Sequence, residues 1–358
     1  MERAANKTRH LVVEPGQPNA AIIQEAGALL RKGELVAFPT ETVYGLGANA
    51  LNAHAVASIF AAKGRPADNP LIVHTDSPKS LERYIDQFPP VLAQLAARFW
   101  PGPLTLVLRC SHAFPPVVTG GLDTVAVRVP AHPVALALIR AAGVPVAAPS
   151  ANVSGRPSPT IAAHVLDDLS GKIALVLDGG PAGLGVESTV LDISGDRPVI
   201  LRPGGIIQRD LEAVLGEVKI APEVDDVALA GDRPRSPGMK YTHYAPRAPL
   251  VLFEGYDPGR VAAGVLNEAM RMAADGRKVG IFTYCETASL YDGQGYSVVV
   301  AGKRSDPRTV AASLYASLRR FDHLGVEVIL AEGITPDGLG MAVENRLRRA
   351  AGGHVVTI

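Results

Sequence analysis

The sequence predicts an α/β protein in two parts: a twisted mixed sheet with helices, then a smaller α/β domain. Three observations carry this. The chain's 358 residues exceed what a single core usually serves. Helix-period and strand-like segments alternate over residues 19–216. A polar stretch rich in turn formers follows at 217–248, after which the alternation restarts and runs to 358. The expected division is therefore 1–216, a linker at 217–248, and 249–358.

In the first part, Ala20–Arg31 has helical periodicity and Gly33 just past its end. Leu35–Phe38 reads as a strand, and Asn52 can cap a helix reaching Ala62. Leu71–His74 is a strand, followed by expected helices at Ser77–Ile85 and Val91–Phe99. Strands are expected at Leu104–Arg109 and Thr124–Val129, a helix at His132–Ala142, and a strand at Val144–Ala147. Thr160–Leu169 reads as a helix, with strands at Leu175–Leu177, Thr189–Ile193 and Val199–Leu201. The strands near 104–129 and 175–201 succeed one another without helices, which points to a mixed sheet rather than a purely parallel one.

In the second part, strands are expected at Leu250–Phe253, Val279–Thr283, Ser297–Ala301, Val326–Ala331 and His354–Ile358. Helices are expected at Pro258–Ala274, Thr309–Leu324 and Gly340–Ala351. In the second of these, Val310, Leu314, Leu318 and Phe321 form one apolar stripe. This regular alternation indicates a Rossmann-like domain. No G-x-G-x-x-G follows its first strand, so nothing in it suggests a dinucleotide.

Composition narrows the function. The chain is 47% hydrophobic and 20% charged, with Lys+Arg and Asp+Glu both at 35. Zero formal charge argues against broad electrostatic binding to nucleic acid or an anionic membrane. The two cysteines, Cys110 and Cys285, support neither a disulfide framework nor a zinc site. The N-terminal residues are charged without an apolar stretch, and no run approaches the ~18 apolar residues of a membrane span. A cytoplasmic setting is expected.

The densest chemistry lies between residues 39 and 74. Pro39-Thr-Glu-Thr-Val-Tyr-Gly-Leu-Gly47 packs Thr40, Glu41, Thr42 and Tyr44 behind a short apolar strand. Lys63-Gly-Arg-Pro-Ala-Asp-Asn-Pro-Leu-Ile-Val-His74 then sets Lys63 and Arg65 beside a proline, with Asn69 and His74 beyond. Either fragment alone reads as a helix cap or a solvated helix end. Together they read as a pocket for an anionic ligand, because Arg offers a planar fork to phosphate or carboxylate and Lys a point charge. Further strand-end candidates are Arg128 in VAVRVP, the loop Ala148-Pro-Ser-Ala-Asn-Val-Ser-Gly-Arg-Pro-Ser158, Ser188 after a Gly-rich loop, and Arg202 in LRPG. Buried cations at strand ends are costly unless anions meet them. No G-x-x-x-x-G-K-[ST] occurs, so any nucleotide is held without a P-loop. His54, His112, His164 and His323 stand alone, and neither zinc spacing nor a Ser-His-Asp order stands out.

On these strings the chain resembles the YrdC-type threonylcarbamoyl-AMP synthases. PTETVYGLG, KGRPADNPLIVH, VAVRVP, PSANVSG, ESTV and LRPG occur in the family's order over roughly residues 15–215. SPGMKYTHYAP and LGMAVENRLRRAA match the longer form with a C-terminal Rossmann-like domain. The resemblance implies a YrdC-like first domain that condenses L-threonine, bicarbonate or CO2, and ATP into threonylcarbamoyl-adenylate and pyrophosphate. It implies Mg2+ carried by ATP, with no protein metal site and no organic cofactor. A downstream tRNA threonylcarbamoyl-transferase complex would then modify the adenosine next to the anticodon, with a weak tRNA contact among the expected partners and no membrane.

By the same resemblance, Thr42, His74, Arg128, Ala148 and Ser188 line the threonine pocket, with Arg128 on the carboxylate. Lys63, Arg65, Asn69, Thr124, Ser150, Asn152, Ser158 and Arg202 would hold ATP or the adenylate. Ser236, Lys240, Tyr241, His243 and Tyr244 would form a lid. Carboxylation needs the neutral amine, so no strong anionic trap is expected near the threonine nitrogen. The carbamate and the α-phosphate are both anions, so positive charge has to offset their repulsion. No covalent enzyme intermediate is expected. Two rivals are a double-stranded-RNA or ribosome-associated module, disfavoured by neutral charge, and a hydrogenase-maturation carbamoyltransferase, whose zinc fingers two lone cysteines cannot build.

Overall fold

The computed structural model describes residues 7–85, 88–110, 112–224 and 243–358. The chain divides into two compact units. One comprises Met1–Ser154, Ser158–Gly183 and Glu187–Lys240; the other comprises Gly155–Pro157, Leu184–Val186 and Tyr241–Ile358.

The first unit is built on a mixed sheet. Its strands are β1 (Arg9–Val12), β2 (Val36–Phe38), β3 (Gly45–Asn49), β4 (Ile72–His74), β5 (Leu104–Arg109) and β6 (Thr124–Arg128). They continue with β7 (Val146–Ala147), β8 (Leu175–Asp178), β9 (Thr189–Asp192), β10 (Val199–Arg202) and β11 (Lys219–Ile220). Among the described residues the order is β1-β8-β2-β3-β7-β4-β6-β5-β9-β10-β11. Parallel pairs (β4 with β6, β5 with β9) alternate with antiparallel ones (β2 with β3, β4 with β7), as the sequence predicts.

Helices α1 (Ala20–Arg31) and α5 (Pro133–Ala142) pack together over Val36, Phe38 and Leu175. Asn19 and Asn52 cap α1 and α2 (Ala53–Lys63) by accepting two backbone N–H bonds each. The remaining helices of this unit are α3 (Pro90–Phe99), α4 (Pro116–Thr119), α6 (Ala162–Leu169) and α7 (Gln208–Leu215).

Several expectations are corrected. Ser77–Ile85 is not an α-helix but a 3₁₀ turn over Lys79–Arg83. The Ser80 hydroxyl bonds the Asp76 carboxylate at 2.6 Å, and such local side-chain bonds compete with helix formation. The segment following Thr40–Tyr44 is a strand, β3, despite its glycines. A Cβ at Gly47 would lie 2.9 Å from Phe38 and 3.0 Å from Val146, so glycine permits the close approach. The expected linker does not begin at 217. Lys219–Ile220 pairs with β10, and Val218, Ala221 and Val224 are buried.

The second unit holds a five-stranded parallel sheet ordered β14-β13-β15-β12-β16. The strands are β12 (Leu250–Glu254), β13 (Val279–Thr283), β14 (Ser297–Val300), β15 (Val328–Glu332) and β16 (Val355–Thr357). The helices are α8 (Pro258–Ala274), α9 (Pro307–Leu324) and α10 (Leu339–Ala351). Asp257 and Asp306 cap α8 and α9, each with proline in the first turn, where the missing N–H costs nothing.

Candidate active site

The site begins where β4 and β6 end. The two strands are parallel and in register, so His74 and Arg128 stand side by side at their C-terminal ends. Arg128 is only 3% exposed. Its Nε donates to the Gly102 carbonyl at 3.1 Å and its Nη1 to the Thr42 hydroxyl at 2.9 Å. The Thr42 and Thr40 hydroxyls are 2.7 Å apart, and Thr40 bonds the Val43 carbonyl at 2.6 Å. Arginine only donates and a carbonyl only accepts. The chain of protons therefore runs one way, from Arg128 through Thr42 and Thr40 to the Val43 carbonyl. Backbone N–H bonds from Thr42 and Val43 to the Thr40 oxygen fix the turn.

His74 is equally buried and meets the Phe38 ring edge-on, with centroids 6.3 Å apart. Burial, then the Arg128 charge, push its pKa down to about 3, so the imidazole is neutral at physiological pH. Its Nδ1 has no hydrogen-bond partner among the described residues. Glu41 supplies the local counter-charge. Its Oε1 lies 2.6 Å from Arg128 Nη2, yet the two are not aligned as a hydrogen bond, and neither carboxylate oxygen has such a partner among the described residues. The sequence expects no strong anionic trap near the threonine nitrogen; the fold places the Glu41 carboxylate on Arg128.

A second group gathers around Ser188, just before β9. Its hydroxyl is 2.7 Å from that of Thr105, and Arg202 donates from Nη2 to the Ser188 hydroxyl (3.2 Å) and carbonyl (3.0 Å). Arg202 thus braces Ser188 from the end of β10. Ser158 donates to the Glu187 carboxylate at 2.6 Å, tying the loop after β7 to the same stretch.

A third group centres on Lys63 at the end of α2. Its ammonium donates to the Ser150 carbonyl and, at 2.6 Å, to that of Asn152. Asn152 Nδ2 bonds the Val153 carbonyl at 2.8 Å. Ala148 is buried, with its N–H on the Ile72 carbonyl at 2.9 Å, and Ser150 bridges to Gly45. Lys63 therefore shapes the loop through its carbonyls. Arg65 reaches the Asn69 and Pro70 carbonyls only at 3.4 and 3.3 Å. Asn69 is fully buried, and neither end of its amide has a hydrogen-bond partner among the described residues. Such a group is costly unless something completes it.

The fold thus brings Thr42, His74 and Arg128 together, Ser188 with Arg202, and Lys63 with Ser150 and Asn152. Thr124 stands apart at the opposite end of β6, in register with Arg109 and about 13 Å along the strand from Arg128. Ser236, Lys240 and Tyr241 lie outside the described residues. His243 is half-buried, and Tyr244, in the left-handed region at φ 66°, packs on Tyr315 (5.2 Å) and Arg346 (5.6 Å) within the second unit. The sequence reading assigns no role to Glu41, Thr105 or Glu187. Glu41 and Glu187 fall inside the quoted strings, whereas Thr105 carries no local signal. Around these residues the site offers hydroxyls, a neutral imidazole and several cations, which is equipment for holding anions.

Comparison with known proteins places the chain in a family. Residues 28–204 match a family model described as telomere recombination, and residues 206–352 one described as the threonylcarbamoyl-AMP synthase C-terminal domain. The chain is 52% identical over 335 residues to the threonylcarbamoyl-AMP synthase of Bacillus subtilis, covering 93% of this chain and 94% of that protein. It is 49% identical over 336 residues to that of Pyrococcus abyssi, covering 94% and 96%. The crystal structure of P. abyssi Sua5 complexed with L-threonine superposes with a TM-score of 0.92 at 47% identity, covering 98% of this chain and 100% of that one. The chain belongs to the threonylcarbamoyl-AMP synthase family.

Proposed function

We propose that this enzyme carboxylates L-threonine with bicarbonate or CO2 and couples the carbamate to ATP, releasing pyrophosphate and threonylcarbamoyl-AMP. The observation that carries the reading is the buried Arg128 beside Thr42 and neutral His74, in a chain that shares its fold with a relative crystallised with L-threonine. Arg128 keeps donors beyond those on Gly102 and Thr42, which suits a substrate carboxylate. Ala148 and Ser188 complete the threonine pocket in this reading.

ATP or the adenylate would be held by Arg65, Asn69, Ser150, Asn152, Ser158 and Arg202, with Lys63 fixing the loop and Thr124 at the far end of β6. The Asn69 amide, unpartnered among the described residues, is the feature that most calls for a ligand. The positive charge of Arg65 and Arg202 would offset the repulsion between carbamate and α-phosphate. Mg2+ would arrive as the counter-ion of the nucleotide phosphates, whose oxygens, with waters, would be its ligands. When bound, it would neutralise phosphate charge. The segment containing Ser236, Lys240, Tyr241, His243 and Tyr244 would act as a lid excluding water from a labile anhydride. The product would serve a tRNA threonylcarbamoyl-transferase complex acting next to the anticodon.

The test is product analysis. Pyrophosphate and an AMP-linked product should form only when threonine, bicarbonate, ATP and Mg2+ are all present. ADP and orthophosphate as the primary products would overturn the proposal.

A further inference from the structure

The Arg128–Glu41 pair is an unusual way to furnish a buried site. The guanidinium is almost wholly enclosed, and the opposing carboxylate is one-fifth exposed. Glu41 is not held as a purely structural counter-ion would be. Such carboxylates normally accept several hydrogen bonds, which offset their desolvation, whereas among the described residues both Glu41 oxygens lack one. Arg128 Nη2, 2.6 Å away, likewise has no aligned partner among the described residues. Nearby His132 does not supply a second positive charge. Its pKa is lowered, chiefly by burial, and its Nδ1 accepts the Val134 N–H at the start of α5. The cluster therefore sets a guanidinium against a carboxylate, each with spare hydrogen-bonding capacity among the described residues.

From this geometry we infer that Glu41 is a specificity-determining residue which receives the substrate ammonium while Arg128 receives its carboxylate. This deepens the proposed function and rests on it. A zwitterion is the natural complement of such a dipole: inserted between the two side chains on arrival, it replaces one ion pair by two. The ammonium then has to give up a proton, which the Glu41 carboxylate can accept, before the neutral amine is carboxylated. A hydroxy acid of the same shape satisfies Arg128 but strands the Glu41 carboxylate beside an anion. An amino alcohol does the reverse. The pair thus selects α-amino acids by charge, before the pocket's shape sorts their side chains.

The experiment compares three ligands by isothermal titration: L-threonine, 2,3-dihydroxybutanoate (hydroxyl for ammonium) and 1-aminopropan-2-ol (no carboxylate). The parent enzyme should prefer threonine to dihydroxybutanoate by about ten- to hundredfold, the worth of a charged hydrogen bond. In Glu41→Gln that preference should shrink at least tenfold, mainly through loss of threonine affinity. Glu41→Asp should recover part of it. A purely structural role would lower the melting temperature of Glu41→Gln and leave the ligand ratio unchanged, which overturns the inference. Should the glutamine variant fail to fold, equal affinity of the parent for threonine and dihydroxybutanoate would overturn it alone. A parent that binds none of the three overturns the proposed function as well.

Discussion

Arg128 shows how one side chain gathers a site. Its three anchors come from two distant parts of the sequence: the Gly102 carbonyl on one side, and the neighbouring Glu41 carboxylate and Thr42 hydroxyl on the other. Lysine at this position keeps the charge but offers no planar fork and no Nε donor toward Gly102. Arg128→Lys should therefore weaken threonine binding by about 1.5–3 kcal/mol, the cost of a lost charged hydrogen bond. Calorimetric titration checks this, and an unchanged affinity would remove Arg128 from the pocket. The individual residues were legible because hydroxyls and cations cluster at strand ends in short strings. Their pairing was not. Glu41 and Arg128 are far apart in the chain, and the sheet order β2-β3-β7-β4-β6, with β4 and β6 in parallel register, is what carries Arg128 toward the turn that holds Glu41.

The elements depend on close approaches that glycine permits. In α1, Gly27 faces α5, where an added Cβ would lie 2.7 Å from the Ala141 carbonyl carbon and 2.8 Å from its oxygen. Alanine would gain about 1 kcal/mol in helix propensity. It would also force two packed backbones apart, and overpacking of this kind costs about 1–3 kcal/mol. Gly27→Ala should be net destabilising in urea unfolding, and a stabilised variant would show that the helices slide freely. The same physics explains which elements the sequence hid. The second unit's strands and helices follow β-branched runs and 3.6-residue stripes, so their expected bounds lie close to those observed. Strand β3 is Gly-Leu-Gly-Ala-Asn, and its strand character comes from tertiary packing against Phe38 and Val146 rather than from local propensity. Strand β1 carries Arg9 and His10 and lies at one end of the sheet order, beside β8.

At the scale of the molecule, two buried groups give stability opposite dependences on pH. His74, lowered to about 3, binds fewer protons folded than unfolded, so between about pH 3 and 6.5 its contribution grows as pH rises. Glu344 in the second unit is raised to about 8, first by burial and then by its hydrogen bond with Glu254. It binds more protons folded than unfolded, so its contribution is full below about pH 4.5 and is lost as pH rises toward 8. Each can tilt the free energy of unfolding by up to about 1.4 kcal/mol per pH unit. Denaturant titrations from pH 4 to 8.5 should show Glu344→Gln flattening the alkaline decline and His74→Phe flattening the acid one. Parallel curves for parent and variants would refute both assignments.

The Lys63 clamp has a kinetic corollary. Its ammonium pulls two carbonyls of the loop after β7 inward, and the same loop returns amide bonds: Ala151 to the Tyr44 carbonyl at 2.9 Å and Ser154 to that of Lys63 at 2.8 Å. In heavy water these two amides should exchange slowly even without ligand, because the loop is already fastened. Lys63→Met keeps the stem's bulk but removes the ammonium. Mass spectrometry should then record fast deuterium uptake confined to peptides spanning residues 148–154, with the cores of both units still protected. Equal uptake in parent and variant would mean that the loop owes its shape to packing alone.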